Sequence, residues 1–325
     1  MDMCSFAPGR QLRRREYLCL LAAVVMLSVS MARPHLVRAD DSDDTPSDSN
    51  TPSLSGEQHE HHDEAPGMMG PLVAIDASPG NSIVPFAPHW VRSTDGRTLG
   101  FGFGVDKMLS ENADIEVDGT FDSNSPKGGS KETGLGDVDV LSRYLLVNQP
   151  DLLLAVVPEA TVSVGTFGET AGLDDAGLAF AWAGRGGALP EDWNLGYLRA
   201  LELHSDIGYS RILSNGSGDE IFVDPVVDYS MPYLQYLTKK EIPWPVSNLC
   251  FFAEINFDEV VDGSDSGPPT FYATPGVSYL TDTYQVTLGA QLPLNHAADH
   301  QQHLALLGEV SFALDGLPVV GWMPF

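Results

Sequence analysis

The sequence has little positive charge, and this limits its partners. Its 325 residues include 17 lysines and arginines against 45 aspartates and glutamates, a formal net charge of −28. So acidic a chain repels the phosphate backbone of nucleic acids, and we exclude nucleic-acid binding. Cations, metal ions or basic partners suit this charge better.

Cysteine is also scarce, with three in the whole chain. Cys4 and Cys19 lie in an N-terminal stretch that we expect to be removed, which leaves Cys250 alone. A single thiol forms neither an internal disulfide nor a cysteine metal cluster. The fold must therefore hold together without covalent cross-links.

The N-terminus has an apolar run, at 18–31, that is shorter than the ~20 residues a membrane-spanning helix needs. Basic residues precede it, and small-residue cleavage sites follow at Ala32 and Ala39. We interpret 1–39 as a signal peptide cleaved after Ala39, with a retained inner-membrane anchor as the alternative. Arg14-Arg15 also resembles a twin-arginine motif, so the export route, general secretory or twin-arginine, stays open.

Residues 40–85 are predicted to be a disordered acidic segment. The stretch 40–66 has hardly any large apolar side chain, so it cannot bury enough surface to offset the entropy of ordering. It contains His59, His61 and His62 beside carboxylates, a set that could chelate Cu, Ni or Zn ions. The alternative is a solvated polar tract that binds such ions only adventitiously. No other cofactor is expected.

Helical signals are scarce, and from residue 86 onward apolar and polar residues alternate between Gly, Asn, Asp and Pro turns. This pattern predicts an all-β domain over 86–325. We expect about twelve strands, at 86–93, 98–109, 113–121, 136–147, 152–167, 177–184, 197–212, 220–234, 249–259, 270–281, 284–294 and 303–313.

Alternation alone would also fit a soluble β-sandwich, whose inward face is apolar. The connections favour a barrel instead, because those at 110–112, 148–151 and 282–283 are tight whereas most of the alternate ones are long and polar. Many strands exceed the ~5–6 residues usual in globular proteins, and the chain ends in Phe325, as substrates of the outer-membrane assembly machinery often do. We therefore predict a transmembrane antiparallel up-and-down β-barrel in the outer membrane of a Gram-negative bacterium.

The second half of the chain resembles a known family. The shared motifs are GDV at 136–138, Arg143-Tyr144, NQPD at 148–151, DYSMPYLQ at 228–235, PGV at 275–277, YQV at 284–286 and QLPLN at 291–295. They resemble bacterial outer-membrane barrels of the phenol-degradation meta-pathway type, which are taken to be transporters. The resemblance covers about 136–313. It implies a barrel and small-molecule passage, without fixing a substrate.

If the apolar faces meet lipid, the polar faces line a lumen. Carboxylates dominate this set, and Arg143 is its only firm cation. We therefore expect a porin-like channel that prefers cations or cationic solutes, as acidic rings do in cation channels. The alternative is that loop cations pair with the carboxylates in a plugged barrel. The predicted lumen residues are Asp106, Asp114, Glu116, Asp118, Asp137, Asp139, Arg143, Glu159, Glu202, His204, Asp206, Asp224, Asp228, Glu254, Asp258 and Glu309.

The sequence shows no sign of an enzyme. Neighbouring His204 and Ser205 fall on opposite faces of a strand, and no Gly-x-Ser-x-Gly nucleophile motif occurs. The histidines at 296, 300 and 303 read as surface residues of an external loop, with metal binding as the alternative. The rival to a pore is a secreted or periplasmic all-β protein that handles metal through the histidines of 59–62.

Overall fold

The computed structural model describes residues 68–164, 172–193, 195–213, 218–263 and 266–314. The predicted signal peptide, His59, His61 and His62 lie outside these ranges. Within them, thirteen strands form one antiparallel sheet. They are β1 (Ser82–Arg92), β2 (Gly96–Ser110), β3 (Ala113–Pro126), β4 (Glu132–Leu141), β5 (Tyr144–Gln149), β6 (Leu152–Ser163), β7 (Gly172–Arg185), β8 (Leu201–Ile212), β9 (Gly218–Ser230), β10 (Leu249–Asp262), β11 (Thr270–Leu280), β12 (Tyr284–Pro293) and β13 (Leu304–Ala313).

The sheet closes on itself, because β1 pairs with β13 on one side and with β2 on the other. Strands β4 and β5 both lie between β3 and β6, so together they fill the place of one strand around the barrel. We call each such place a stave. The described chain therefore forms a closed antiparallel barrel of twelve staves, which confirms the predicted fold. Closure removes the sheet edges, so every strand finds partners without water.

The break between β4 and β5 has a local cause. It lies opposite Pro158 of β6, which has no N–H to donate to a sheet ladder. The backbone N–H of Ser142 donates to the carbonyl of Pro158 (3.1 Å), and the Ser142 hydroxyl donates to the carbonyl of Asp114 (2.6 Å). The chain is thus held in place at a point where regular pairing stops, and this turns Arg143 into the interior.

Two rims can be distinguished by the chain ends. The terminal rim holds the start of β1 and the end of β13, and the far rim is the opposite one. The tight turns at 111–112, 150–151 and 281–283 lie on the terminal rim, as expected for periplasmic turns. So do two longer connections, 186–200 and 231–248, which contain short 3₁₀-helices and the helix α1 (Met231–Thr238). A second helix, α2 (His296–Gln301), lies on the far rim.

Helix α1 corrects one predicted strand boundary. The sequence pattern extended a strand over 220–234, but β9 ends at Ser230 and α1 begins at Met231. Ser230 caps the helix by accepting the N–H of Tyr233 (3.2 Å), and Pro232 occupies its first turn, where a missing N–H costs nothing.

The outward face of the barrel is apolar. On β8, Leu203, Ile207 and Tyr209 are 45%, 53% and 46% exposed, while Glu202 and Asp206 are fully buried inside. A soluble sandwich would show the reverse, with the aliphatic side chains buried and the acids in water. The apolar surface continues around the barrel through Leu99, Val117, Phe180, Val227, Phe251, Leu288 and Leu306. Such a surface belongs in lipid, and the chain is accordingly an outer-membrane barrel.

Among the described residues, no α-helix combines the length and the apolarity needed to cross a bilayer.

Residues 68–81, which we call the inner segment, lie inside the barrel. Met69 and Ala77 are 1% exposed, and both pack against residues of the wall. We predicted disorder as far as residue 85, whereas the structure gives this part a fixed course and starts β1 at Ser82. The rest of the predicted disordered segment lies outside the described residues.

Candidate functional site

The structure places most of the predicted lumen residues on the inner face. Asp137 differs from the others in being exposed, near the far-rim end of β4, where it lies opposite the buried Ser163 of β6. The others fall into two groups. Buried are Asp114, Arg143, Glu202, His204, Asp206, Asp224, Asp228 and Glu254, and partly buried are Asp106, Glu116, Asp118, Asp139, Glu159, Asp258 and Glu309.

Arg143 is the centre of one charged cluster. Its guanidinium lies 2.6 Å from a carboxylate oxygen of Asp114 and 3.2 Å from one of Asp106, and it also pairs with Glu116. Its backbone N–H donates to the second oxygen of Asp114 (2.9 Å). One cation thus serves three carboxylates that strand pairing brings together, because Asp106 lies opposite Glu116 in adjacent strands.

A second cluster surrounds Arg185, which is not among the predicted lumen residues. Its Nε lies 2.9 Å from Glu202, and His204 Nε2 lies 2.9 Å from Asp228. Glu202 and Asp228 face each other across β8 and β9, and all four side chains are buried. With His204 protonated, the two acids and two bases balance in charge.

The same cluster is the candidate metal site of the described residues. One ligand atom from each of Glu202, His204 and Asp228 lies within 4.8 Å of the others. Carboxylate and imidazole ligands suit Zn or Fe ions. However, Arg185 already supplies a positive charge to Glu202, so a divalent ion would have to enter against it. The charge balance fits a structural network better than a metal centre.

Helix α1 covers the second cluster on the terminal-rim side. The Tyr233 ring lies 4.5 Å from the Arg185 guanidinium, and its hydroxyl donates to Asp151 (2.8 Å). Burial and this hydrogen bond raise the pKa of Tyr233 above its ordinary value. Gly187 is required beneath it, because a β-carbon there would meet the Tyr233 hydroxyl at 1.8 Å.

The inner segment is fixed by carboxylates of the wall. Glu254 accepts the backbone N–H groups of Leu72 (2.5 Å), Val73 (2.9 Å) and Ala74 (3.3 Å). Two further N–H groups complete the set: that of Ile75 donates to Asp206 (2.5 Å) and that of Gly80 to Asp114 (2.7 Å). These five bonds cross the interior between β10, β8 and β3.

One part of the inner wall is apolar, contrary to the predicted polar lining. Leu153, Ala155 and Val157 of β6 are buried, together with Ala179, Ala181 and Ala183 of β7. Ala77 of the inner segment packs against this patch, with Ile75 and Met68 beside it. Alanines leave the space that a second layer of chain needs.

The interior has a cavity at the far rim, beside α2. Its volume is about 770 Å³, and its lining includes Glu220, Asp258, Tyr272, His296 and His300. The two histidine rings lie 6.3 Å apart, edge to face, on α2. His303 pairs with Asp299 (2.8 Å) near the rim.

Several interior groups were missed for identifiable reasons. Arg185 lies one residue beyond the predicted strand 177–184, and Asp122 one residue beyond 113–121. Asp122 pairs with His89 (2.6 Å). Glu220 has the same strand parity as the predicted Asp224, so that parity could have found it.

Comparisons with known proteins add the following. No protein-family model matches the sequence, and no curated protein matches it. Among solved structures, the porin NanC aligns with a TM-score of 0.46 at 10% identity over 70% of this chain and 100% of its own. The KdgM porin in complex with disordered oligogalacturonate gives 0.41 at 8% identity over 71% and 98%. LpxR from Salmonella typhimurium gives 0.41 at 9% identity over 71% and 99%.

Proposed function

We propose that the chain is an outer-membrane channel for small solutes and that it prefers cations. The observation that supports this is the imbalance of charge inside the barrel. Carboxylates from most staves face inward, with none on β1, β11 or β12, while Arg143 and Arg185 are the arginines buried among them in the described ranges. Walls of one sign raise the local concentration of ions of the opposite sign and exclude like charges.

The route begins at the far rim. The cavity there is lined by Glu220 and Asp258, and no lysine or arginine contributes to it. Further in, Asp224 continues the row of acids along β9 towards Asp228. Below this level the inner segment crosses the interior, and α1 covers the Arg185 cluster from the terminal rim. A solute that enters from outside therefore meets acids first and an obstruction afterwards.

Other features of the proposal depend on sequence alone. Membership of the phenol-degradation meta-pathway type is proposed from the motifs between 136 and 313. We also propose, from the sequence, that the outer-membrane assembly machinery folds the chain. The sequence likewise suggests that His59, His61 and His62 bind Cu, Ni or Zn. We also propose no catalytic role: His204 is buried, and the hydroxyl of Ser205 donates to the backbone carbonyl of Asp206.

Ion selectivity tests the proposal. We expect single openings of the full chain in a planar bilayer, under a KCl gradient, to reverse close to the potassium equilibrium potential. The double variant Glu220→Gln/Asp258→Asn should move the reversal potential towards zero, because it removes two charges from the far-rim cavity. The matched control Glu259→Gln, on β10 but outside that cavity, should leave it unchanged. Reversal on the chloride side of zero in the unmodified chain would refute cation preference.

A further inference from the structure

We propose that the inner segment is a displaceable plug, held by carboxylates that passing cations would otherwise occupy, so that plug and cation compete for the same oxygens. This inference rests on the proposed function and describes how that site is regulated. Cations arriving at Glu254, Asp206 and Asp114 would loosen the segment, and the segment when seated would close the pore.

The segment is held by a type of bond that a cation can replace. Five backbone N–H groups of residues 72–80 donate to three carboxylates, and the segment pairs with no strand. A strand added to the sheet would be fixed by a ladder of backbone bonds. Here each partner is an anion, and anions accept either N–H dipoles or cations.

Two of the three carboxylates have no cationic side chain as a partner, although the carboxyl of Asp206 is also hydrogen-bonded to that of Asp224. Glu254 is fully buried, and neither it nor Asp206 forms an ion pair with any described residue. For Glu254, the N–H groups of Leu72, Val73 and Ala74 are the partners found in this structure. If the segment left, both acids would have to take up a cation or a proton, since a buried charge without a partner is costly. Cation binding and plug release are therefore coupled.

The inner segment fits closely against the wall, through small residues and through larger apolar side chains of which Met69 alone is fully buried. Ala77 lies on a wall of alanines, and Gly80 approaches Asp106 so closely that a β-carbon would lie 1.6 Å from its carboxylate. Met69 packs in one cluster with Cys250 and Phe252 near the terminal rim. Met68, Leu72 and Ile75 also pack against the wall but are only partly buried. The segment can therefore leave as a unit, while its C-terminal end stays attached to β1.

Release of the inner segment can be measured by chemical labelling, independently of channel current. In the variant Ala77→Cys, a water-soluble maleimide should label position 77 slowly, because the site is 1% exposed. Adding Glu254→Gln/Asp206→Asn should speed labelling at least about tenfold, the change that about 1.4 kcal/mol produces. Replacing N-methylglucamine with Ca²⁺ at equal ionic strength should speed it in the chain that keeps both acids. The matched control Glu259→Gln, added to Ala77→Cys, should leave the labelling rate unchanged and should keep the Ca²⁺ effect, because it retains both acids. Mass spectrometry of the peptide distinguishes position 77 from Cys250.

A disulfide between the inner segment and the wall should hold the plug in the barrel. Met69→Cys places a second thiol in the buried cluster that contains the native Cys250 and Phe252, and oxidation should join the segment to β10. We expect the oxidised form to stop conducting and reduction to restore channel openings. In Met69→Cys/Cys250→Ser, which cannot form this disulfide, neither oxidation nor reduction should change the current. If Ala77→Cys does not fold, amide hydrogen exchange of residues 72–75 in the unmodified chain tests release instead. Ca²⁺ should speed this exchange.

The outcomes separate the two proposals. Labelling and exchange that respond neither to Ca²⁺ nor to Glu254→Gln/Asp206→Asn would overturn the plug, even if the channel conducts cations. Release of the segment with no current in any variant would instead refute the channel and leave the plug standing.

Discussion

Replacing Arg143 with methionine should lower the free energy of unfolding by about 3–5 kcal/mol, the usual effect of removing one partner from a buried ion pair. The guanidinium contacts Asp106, Asp114 and Glu116, and its side chain is 6% exposed. Because methionine fills a similar volume, the loss in the free energy of unfolding reports the missing charge and not a cavity. The measurement is urea unfolding of the barrel refolded in lipid vesicles, followed by tryptophan fluorescence.

Arg211 is the matched control for this prediction. It also pairs with an aspartate, Asp219, but its side chain is 50% exposed at the far rim. Exposed ion pairs contribute about 0–1 kcal/mol, since water and salt screen them. Arg211→Met should therefore be nearly neutral. Equal effects of the two substitutions would mean that Arg143 is not the buried centre of its cluster.

The second large effect is expected at Arg185. Arg185→Met removes the cation 2.9 Å from the fully buried Glu202 and also the group stacked on Tyr233, so we expect a loss of about 3–5 kcal/mol. The double variant Arg185→Met/Glu202→Gln removes both charges and should cost less than Arg185→Met alone. With the single variant Glu202→Gln, these complete a double-mutant cycle in the same unfolding measurement, and the coupling between the two side chains is the loss in the double variant minus the sum of the two single losses. A double variant whose loss equals the sum of the single losses would show that the pair is not coupled.

The barrel was predictable because one period-two pattern recurs along the chain. On β3, Asp114, Glu116 and Asp118 alternate with apolar residues, and the structure turns the acids inward. Alternation fixes which residues share a face, and turn lengths fix the rims, but neither fixes strand ends. This is why Arg185, one residue past a predicted strand, was assigned to a loop.

Helix α1 was missed although a local signal was present. Ser230 followed by Pro232 is a helix-start pattern, a capping hydroxyl with proline in the first turn. Continuing alternation through Met231 and Tyr233 outweighed it. Only the tertiary structure shows why a helix is favoured there, since it places Tyr233 over Arg185.

The inner segment could not have been found by such reasoning. Its polar contacts are made by backbone N–H groups, which every residue except proline supplies, so they leave no side-chain pattern. Its apolar contacts come from isolated residues such as Met69 and Ala77. The partners, Glu254 and Asp206, were identified as lumen residues, but nothing in their spacing shows that chain rather than water lies against them.

The central claim is that one face of each strand contacts acyl chains while the other encloses the acids. Spin labels placed in turn at positions 203 to 210 of β8 test it most directly, by comparing collision with lipid-soluble oxygen and with a water-soluble nickel chelate. We predict high oxygen accessibility at 203, 207 and 209, and low accessibility to both reagents at the buried positions 204 and 206. High nickel accessibility at 203 and 207 would contradict the account, because those side chains would then face water.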